Sequence, residues 1–260
     1  MIEDEHILNK YGEDVLIEAE IFRTWCQFLL LAERYENNSA IDKLSKSIIF
    51  KFRQAHYHLR QSKKYYKLAI LNSSRGLYDR KLYYDFLTNC NNDSMIYALN
   101  SAADMIAKLI GECNLGMKLK KLPAKENLEK NTACLKKISE VDNETCDRLI
   151  LFIESEEREY VRNYCNGIKH DEAFFSAGAF VDFDIDNDTI KKGYSLKKKY
   201  TRSNENEEFL EYVPRIFSEN LKLMGEIGKS ILEYHKIIVD PIDENLLGYV
   251  DNMSFNHLEE

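Results

Sequence analysis

Nine consecutive residues concentrate the chemistry of this chain: Arg162-Asn163-Tyr164-Cys165-Asn166-Gly167-Ile168-Lys169-His170. Arginine and lysine can hold a phosphate, histidine titrates near neutrality and can move a proton, and asparagine can orient either partner. Arg162 and Asn166 are four residues apart, as are Asn166 and His170, so a helix places all three on successive turns of one face. Upstream, Glu154, Glu156, Glu157 and Glu159 make the same stretch acidic, and the sign switches at Arg162. The ordinary account is that a helix needs a polar side and that basic residues near its C-terminus complement the macrodipole. The chemical account gives Arg162 and Lys169 a phosphate to hold and His170 a proton to move.

Other groups carry weaker chemistry. His56-Tyr57-His58 invites a metal, but residues two apart lie on different sides of a helix, and no third ligand is close in sequence. Asp182-Phe183-Asp184-Ile185-Asp186-Asn187-Asp188 begins like a calcium loop, yet Asn187 stands where the loop needs Gly and Gly193 where it needs Glu. Outward Asp residues on a strand explain it better. Lys191, Lys192 and Lys197-Lys198-Lys199, with Tyr194 and Tyr200, are either a solvated hairpin face balancing those Asp residues or a patch that guides RNA. No phosphate-binding Gly-rich loop, no GxSxG elbow and no zinc-protease motif occurs, so neither cofactor nor metal is expected.

The elements that must position the 162–170 cluster are helical. Apolar residues at three-to-four spacing predict helices over 13–36 and 40–71, with 72–76 as a loop. A short helix over 80–90 and a stronger one over 94–112 follow, the latter capped by Ser94 and rich in small side chains. The basic stretch before Pro123 leads to a helix over 124–139, and Asp142 caps one running to His170. Then the period changes. Phe180 to Ile185 alternates, 186–189 reads as a turn, and Ile190 to Tyr200 alternates again, which predicts a β-hairpin near 179–200. A helix over 207–238, kinked or restarted at Pro214, precedes a loose acidic tail over 241–260. Asn-rich spots at 37–38, 89–92 and 204–206 read as loops. The expected architecture is a single, mainly all-α domain: a multi-helix up-and-down bundle with its core over about 10–175 and a small hairpin appended.

Composition limits what such a bundle does. Only 3 Pro and 10 Gly interrupt 260 residues, which favours long helices over many turns. A formal net charge of -8 argues against broad coating of nucleic acid, where affinity comes from neutralised phosphates, but leaves room for a small basic site. Six cysteines without a CxxC pair read as reduced, mostly buried thiols, hence a cytoplasmic protein. The start, Met-Ile-Glu-Asp-Glu-His, has no apolar run, so no signal peptide is expected, and no stretch is long enough to span a membrane.

The run Arg-Asn-x-x-Asn-x-x-Lys-His at 162–170 resembles the signature of HEPN domains, and Tyr97-Ala98-Leu99-Asn100-Ser101-Ala102-Ala103-Asp104-Met105-Ile106-Ala107 is similar to an earlier helix of some uncharacterised bacterial HEPN-like proteins. The resemblance covers about 10–175. It implies a metal-independent endoribonuclease acting as a homodimer that brings two motif helices together. It further implies that Arg162 binds the scissile phosphate, that His170 serves as base or acid while the RNA's 2′-hydroxyl attacks, and that Asn163, Asn166 and Lys169 support them. Asn100, Asp104 and Lys108 fall on successive helical turns; Asp104 would pack beside the 142–170 helix and orient Arg162 or His170, while the plainer account is a solvated stripe with an Asp104–Lys108 helical pair. Such domains serve toxin–antitoxin or phage-defence systems, so RNA and an antitoxin are the implied partners. Seven residues separate Arg162 from His170, longer than the family's usual gap. Two other classes stand beside this one: a non-catalytic interaction or scaffold protein, suggested by the net acidity and the stretched gap, and an enzyme with a small-ligand pocket between helices.

Overall fold

The structure, a computed structural model, describes residues 13–34, 39–113, 121–128, 132–170, 182–184, 189–191, 209–239 and 245–248. Its fold class is all-α. The helices are α1 (Glu13–Arg34), α2 (Ser39–Ser74), α3 (Tyr78–Glu112), α4 (Thr132–Val141), α5 (Asn143–Glu154), α6 (Glu156–His170) and α7 (Phe209–Tyr234). Backbone pairing between β1 (Asp182–Asp184) and β2 (Thr189–Lys191) is antiparallel, with Phe183 opposite Ile190. The rest of the 179–200 segment lies outside the described residues, as do the Asn-rich spots at 37–38 and 204–206.

The chain divides into two compact units. The first holds 1–50, 102–154 and 218–260, the second 51–101 and 155–217; the divisions fall inside α2, α3 and α7 and at the α5–α6 junction.

In the first unit, Trp25, Phe28 and Leu31 of α1 are fully buried, as are Ile106, Phe152 and Ile227 from α3, α5 and α7. Trp25 and Phe28 stack with ring centroids 4.9 Å apart. α7 approaches α1 through glycines: a Cβ on Gly228 would stand 3.1 Å from both Thr24 and Trp25. Asp142 caps α5, its carboxylate accepting from the Glu144 and Thr145 backbone N–H groups at 3.1 and 3.3 Å. The Thr145 hydroxyl lies 2.9 Å from that of Ser230 on α7. At the chain's end the expectation of a loose tail fails in part: 245–248 form a helical turn in which Leu247 is fully buried.

In the second unit α2 and α3 form an antiparallel hairpin. Gly76, with φ +70°, closes α2: its N–H bonds to Ser73 and that of Leu77 to Asn72, the two bonds of a left-handed helix cap. The expected 72–76 loop is thus shorter, since α2 continues to Ser74.

Further expectations along the chain are corrected. The helices at 80–90 and 94–112 are one 35-residue helix, α3. Ser94 is no cap; its hydroxyl donates to the Cys90 carbonyl at 2.9 Å in mid-helix. The Asn run at 89–92 is helical because its amides find partners there: Asn91 donates to Leu87 one turn back, and Asn92 accepts from Ser62 of α2 at 2.6 Å. The helix expected over 124–139 is a 3₁₀ turn at Lys125–Asn127 followed by α4. Finally, the helix expected over 142–170 breaks at Ser155 into α5 and α6. Ser155 accepts from the Arg158 N–H at 3.2 Å, and Glu156 and Glu157 occupy the first turn, a start signal present in the sequence. Pro214, by contrast, sits inside α7 in its second turn without restarting it.

Candidate functional site

α6 carries the cluster, and its inner face explains how the cluster is held. Tyr160, Val161, Tyr164 and Cys165 are buried, at the three-to-four spacing of one helical stripe. This stripe meets α3 in antiparallel fashion. The Tyr164 hydroxyl donates a short hydrogen bond to the Asp93 carboxylate. Cys165 reaches the Ile96 carbonyl at 3.9 Å, and Arg158 donates to the Asn100 side-chain carbonyl at 3.0 Å.

The outer face is where the sequence placed its chemistry. Arg162 and Asn163 are half-buried and Asn166 is exposed. Lys169 and His170 continue the helix in backbone; their side chains lie outside the described residues. Eight helical steps put the Cα atoms of Arg162 and His170 about 12 Å apart. Asn100 does meet α6, but through Arg158, one turn before Arg162. Asp104 is half-buried, belongs to the other compact unit, and makes no hydrogen bond or ion pair among the described residues, so the helical pair expected with Lys108 is not formed.

Between α3 and α6 the electrostatics favour neutral groups. Burial pushes the Asp93 carboxyl up to about 6, against the opposing pull of the Tyr164 hydrogen bond. The Tyr97 phenol is raised by burial, then by the nearby Cys165 and Asp93. Cys90 is raised by burial and by Asp93. A region that resists charge suits a structural seam better than a nucleophile.

Sequence reasoning missed Asp93 and Arg158, though both carried a signal. Asp93 lies seven residues before Asn100, hence on the same face of α3. Arg158 lies four before Arg162 and is 4% exposed, while Arg162 is half-buried.

The other candidates resolve into local pairings. Arg60 donates to the His56 ring at 2.7 Å, while the His58 ring bonds Asn91 at 2.9 Å, so the two imidazoles serve different partners. Among the described residues no cluster of three His, Cys, Asp or Glu could hold a metal ion, and no helix is long and apolar enough to cross a membrane. Five described cysteines are free thiols, three of them buried. Comparison with known protein families, curated proteins and solved structures returned no match to this chain.

Proposed function

We propose that the chain is a HEPN-like protein that binds RNA on the outer face of α6 and cleaves it without a metal ion. One observation carries this reading: α6 is unbroken from Glu156 to His170, with a buried apolar stripe on one side and Arg162, Asn163 and Asn166 accessible on the other. Arg162 binds the scissile phosphate and stabilises the charge that develops on it. His170 takes the proton of the attacking 2′-hydroxyl, or supplies one to the leaving 5′-oxygen; the product is a 2′,3′-cyclic phosphate. Asn163 and Asn166 position these groups and Lys169 adds positive charge. Asn100 acts at one remove, through Arg158. The wider reading is a helical bundle with a hairpin over 179–200, paired as a homodimer across its motif helices, in a toxin–antitoxin or phage-defence setting with an antitoxin partner.

The test is incubation of purified protein with tRNA and total RNA in EDTA. Cleavage lost in both Arg162→Ala and His170→Ala supports the mechanism. Cleavage that requires Mg²⁺, or that survives both changes, overturns it.

A second reading, a non-catalytic interaction protein, is favoured by one feature. About 12 Å along a straight helix is far for two side chains that must reach one phosphodiester. RNA binding without cleavage, weakened by Arg162→Ala alone, or no RNA binding at all, would select this reading.

A further inference from the structure

At its turn the α2–α3 hairpin is bare: every residue from Ser74 to Arg80 is exposed. A turn so placed is ordinarily polar. This one carries large apolar side chains on both helices. Leu71 lies in the last turn of α2, Leu77 lies between the helices, and Tyr78, Leu82 and Tyr83 open α3 at 54%, 62% and 59% exposure. The helix cannot rotate to hide them, because inward polar groups hold it. Lys81 and Asp85 pair at 2.6 Å with side chains only 6% and 10% exposed, and Asn92 accepts from Ser62 of α2 at 2.6 Å.

The charge leading to this end has one sign. From Lys51 to Tyr78 the sequence holds seven Lys and Arg and no Asp or Glu, in a chain whose net charge is -8. A solvated helix face ordinarily mixes the signs so that pairs form at steps of four. Here Arg60–Lys64 and Lys63–Lys67 are like charges at that step, a repulsion that an anionic surface relieves. Lys64, Lys67 and Leu71 are exposed and share one face of α2 at steps of three and four. Arg75 and Arg80 are exposed at the turn itself, with Asp79 as the exposed carboxylate between them.

We infer that this end of the hairpin docks on an anionic lipid surface. Apolar side chains among cations fit the boundary between acyl chains and anionic headgroups, which receives the first in hydrocarbon and the second in phosphate. Tyrosine suits the same boundary, with its ring in the apolar layer and its hydroxyl in the wet one. The heights agree. Lys67 stands seven residues before Ser74, about 10 Å back along α2, so an end sunk about 5–10 Å leaves that ammonium among the headgroups. Arg75 and Arg80 lie nearer the end and reach back along their long stems. The excess of cations repels a copy of itself, and a nucleic-acid strand offers phosphates but no hydrocarbon for Leu71, Leu77 and Leu82. No described helix is apolar enough to cross a membrane, and surface docking asks for none. The inference goes beyond the RNA-binding proposal and rests on different helices.

Flotation of the full chain with vesicles tests it. Phosphatidylcholine vesicles containing about 30% phosphatidylserine should carry the wild type, and pure phosphatidylcholine vesicles should not. Lys64→Glu with Lys67→Glu should weaken binding at least about 10-fold, and so should Leu82→Ser with Tyr83→Ser. All four positions are exposed, so far-UV circular dichroism should be unaltered. Arg162→Ala should float like the wild type, which separates this surface from that of α6. A wild type that stays off phosphatidylserine vesicles overturns the inference, as does binding that survives either folded double variant. Retention of a single-stranded oligonucleotide, lost in the lysine variant and unaccompanied by flotation, also overturns it and gives the cations to nucleic acid.

Discussion

Tyr164 of α6 donates its hydroxyl to Asp93 of α3, a largely buried bond that holds the helix carrying Arg162 against the hairpin. Because burial raises the Asp93 carboxyl to about 6 from an ordinary 3.8, the folded state keeps this proton where the unfolded chain releases it. The folded form therefore binds more protons between these values, and the contribution of Asp93 to stability falls as pH rises from 3.8 through about 6. His235 works in the opposite sense: burial lowers its proton affinity, so its contribution is lost as pH falls below the ordinary 6.5. Comparison with Asp93→Asn separates the two. The variant should lack the Asp93 share, about 1–2 kcal/mol between roughly pH 4 and pH 7 once partial solvent access is allowed for. Thermal melts of both proteins across that range check it; parallel curves would remove the assignment.

Two arginines one turn apart should behave differently on removal. Arg158 is buried and its guanidinium donates to Asn100 at 3.0 Å. Arg158→Ala leaves that amide without its charged partner and should destabilise the fold by about 2–3 kcal/mol. Arg162 is half-buried on the outer face of α6, and Arg162→Ala should change stability by no more than about 1 kcal/mol. Urea denaturation of both variants decides. An Arg162→Ala chain as unstable as Arg158→Ala would give Arg162 a structural role.

The Lys81–Asp85 pair offers a sharper contrast. Burial raises the Asp85 carboxyl, while the hydrogen bond and charge of Lys81 pull it down. Asp85→Ala strands a buried ammonium and should cost about 3–5 kcal/mol, whereas Lys81→Met with Asp85→Leu should be near neutral or stabilising. Urea denaturation of both proteins reads the contrast; a double variant as unstable as Asp85→Ala would overturn it.

What the sequence made legible was periodicity; what it hid was the partner of each polar group. The stripe of Tyr160, Val161, Tyr164 and Cys165 could be read directly, and it places Arg162 and Asn166 on the accessible side of α6. Asn89 to Asn92 read as a loop because Asn favours turns in isolation. Only the Ser62–Asn92 bond, thirty residues apart in sequence, shows why they are helical. The two compact units were hidden for the same reason, since their divisions fall mostly inside continuous helices. Ser155 is different: Ser followed by Glu156 and Glu157 signals a new helix, but the apolar spacing of 142–170 carries on across it. For the site, Asn100 meets the motif helix through Arg158, a residue whose role no spacing in the sequence singled out.

The packing of α7 on α1 depends on Gly228. A Cβ there would stand 3.1 Å from Thr24 Cγ2, 3.1 Å from Trp25 Cζ2 and 3.3 Å from Trp25 Cε2. Flexible neighbours could move aside, but Trp25 is fully buried and stacked on Phe28, and Thr24 is pinned by its hydroxyl bond to the Glu20 carbonyl at 2.9 Å. Alanine restores about 1 kcal/mol of helix propensity, while overpacking of this kind costs about 1–3 kcal/mol. With both neighbours held in place the strain lies toward the upper end of that range, and Gly228→Ala should destabilise by up to about 2 kcal/mol net. Trp25 is the chain's single tryptophan, so its fluorescence reports the contact itself. The variant should shift the emission maximum or intensity of the folded protein and lower the urea midpoint. Unchanged emission with raised stability would mean that α7 and α1 are not held this close.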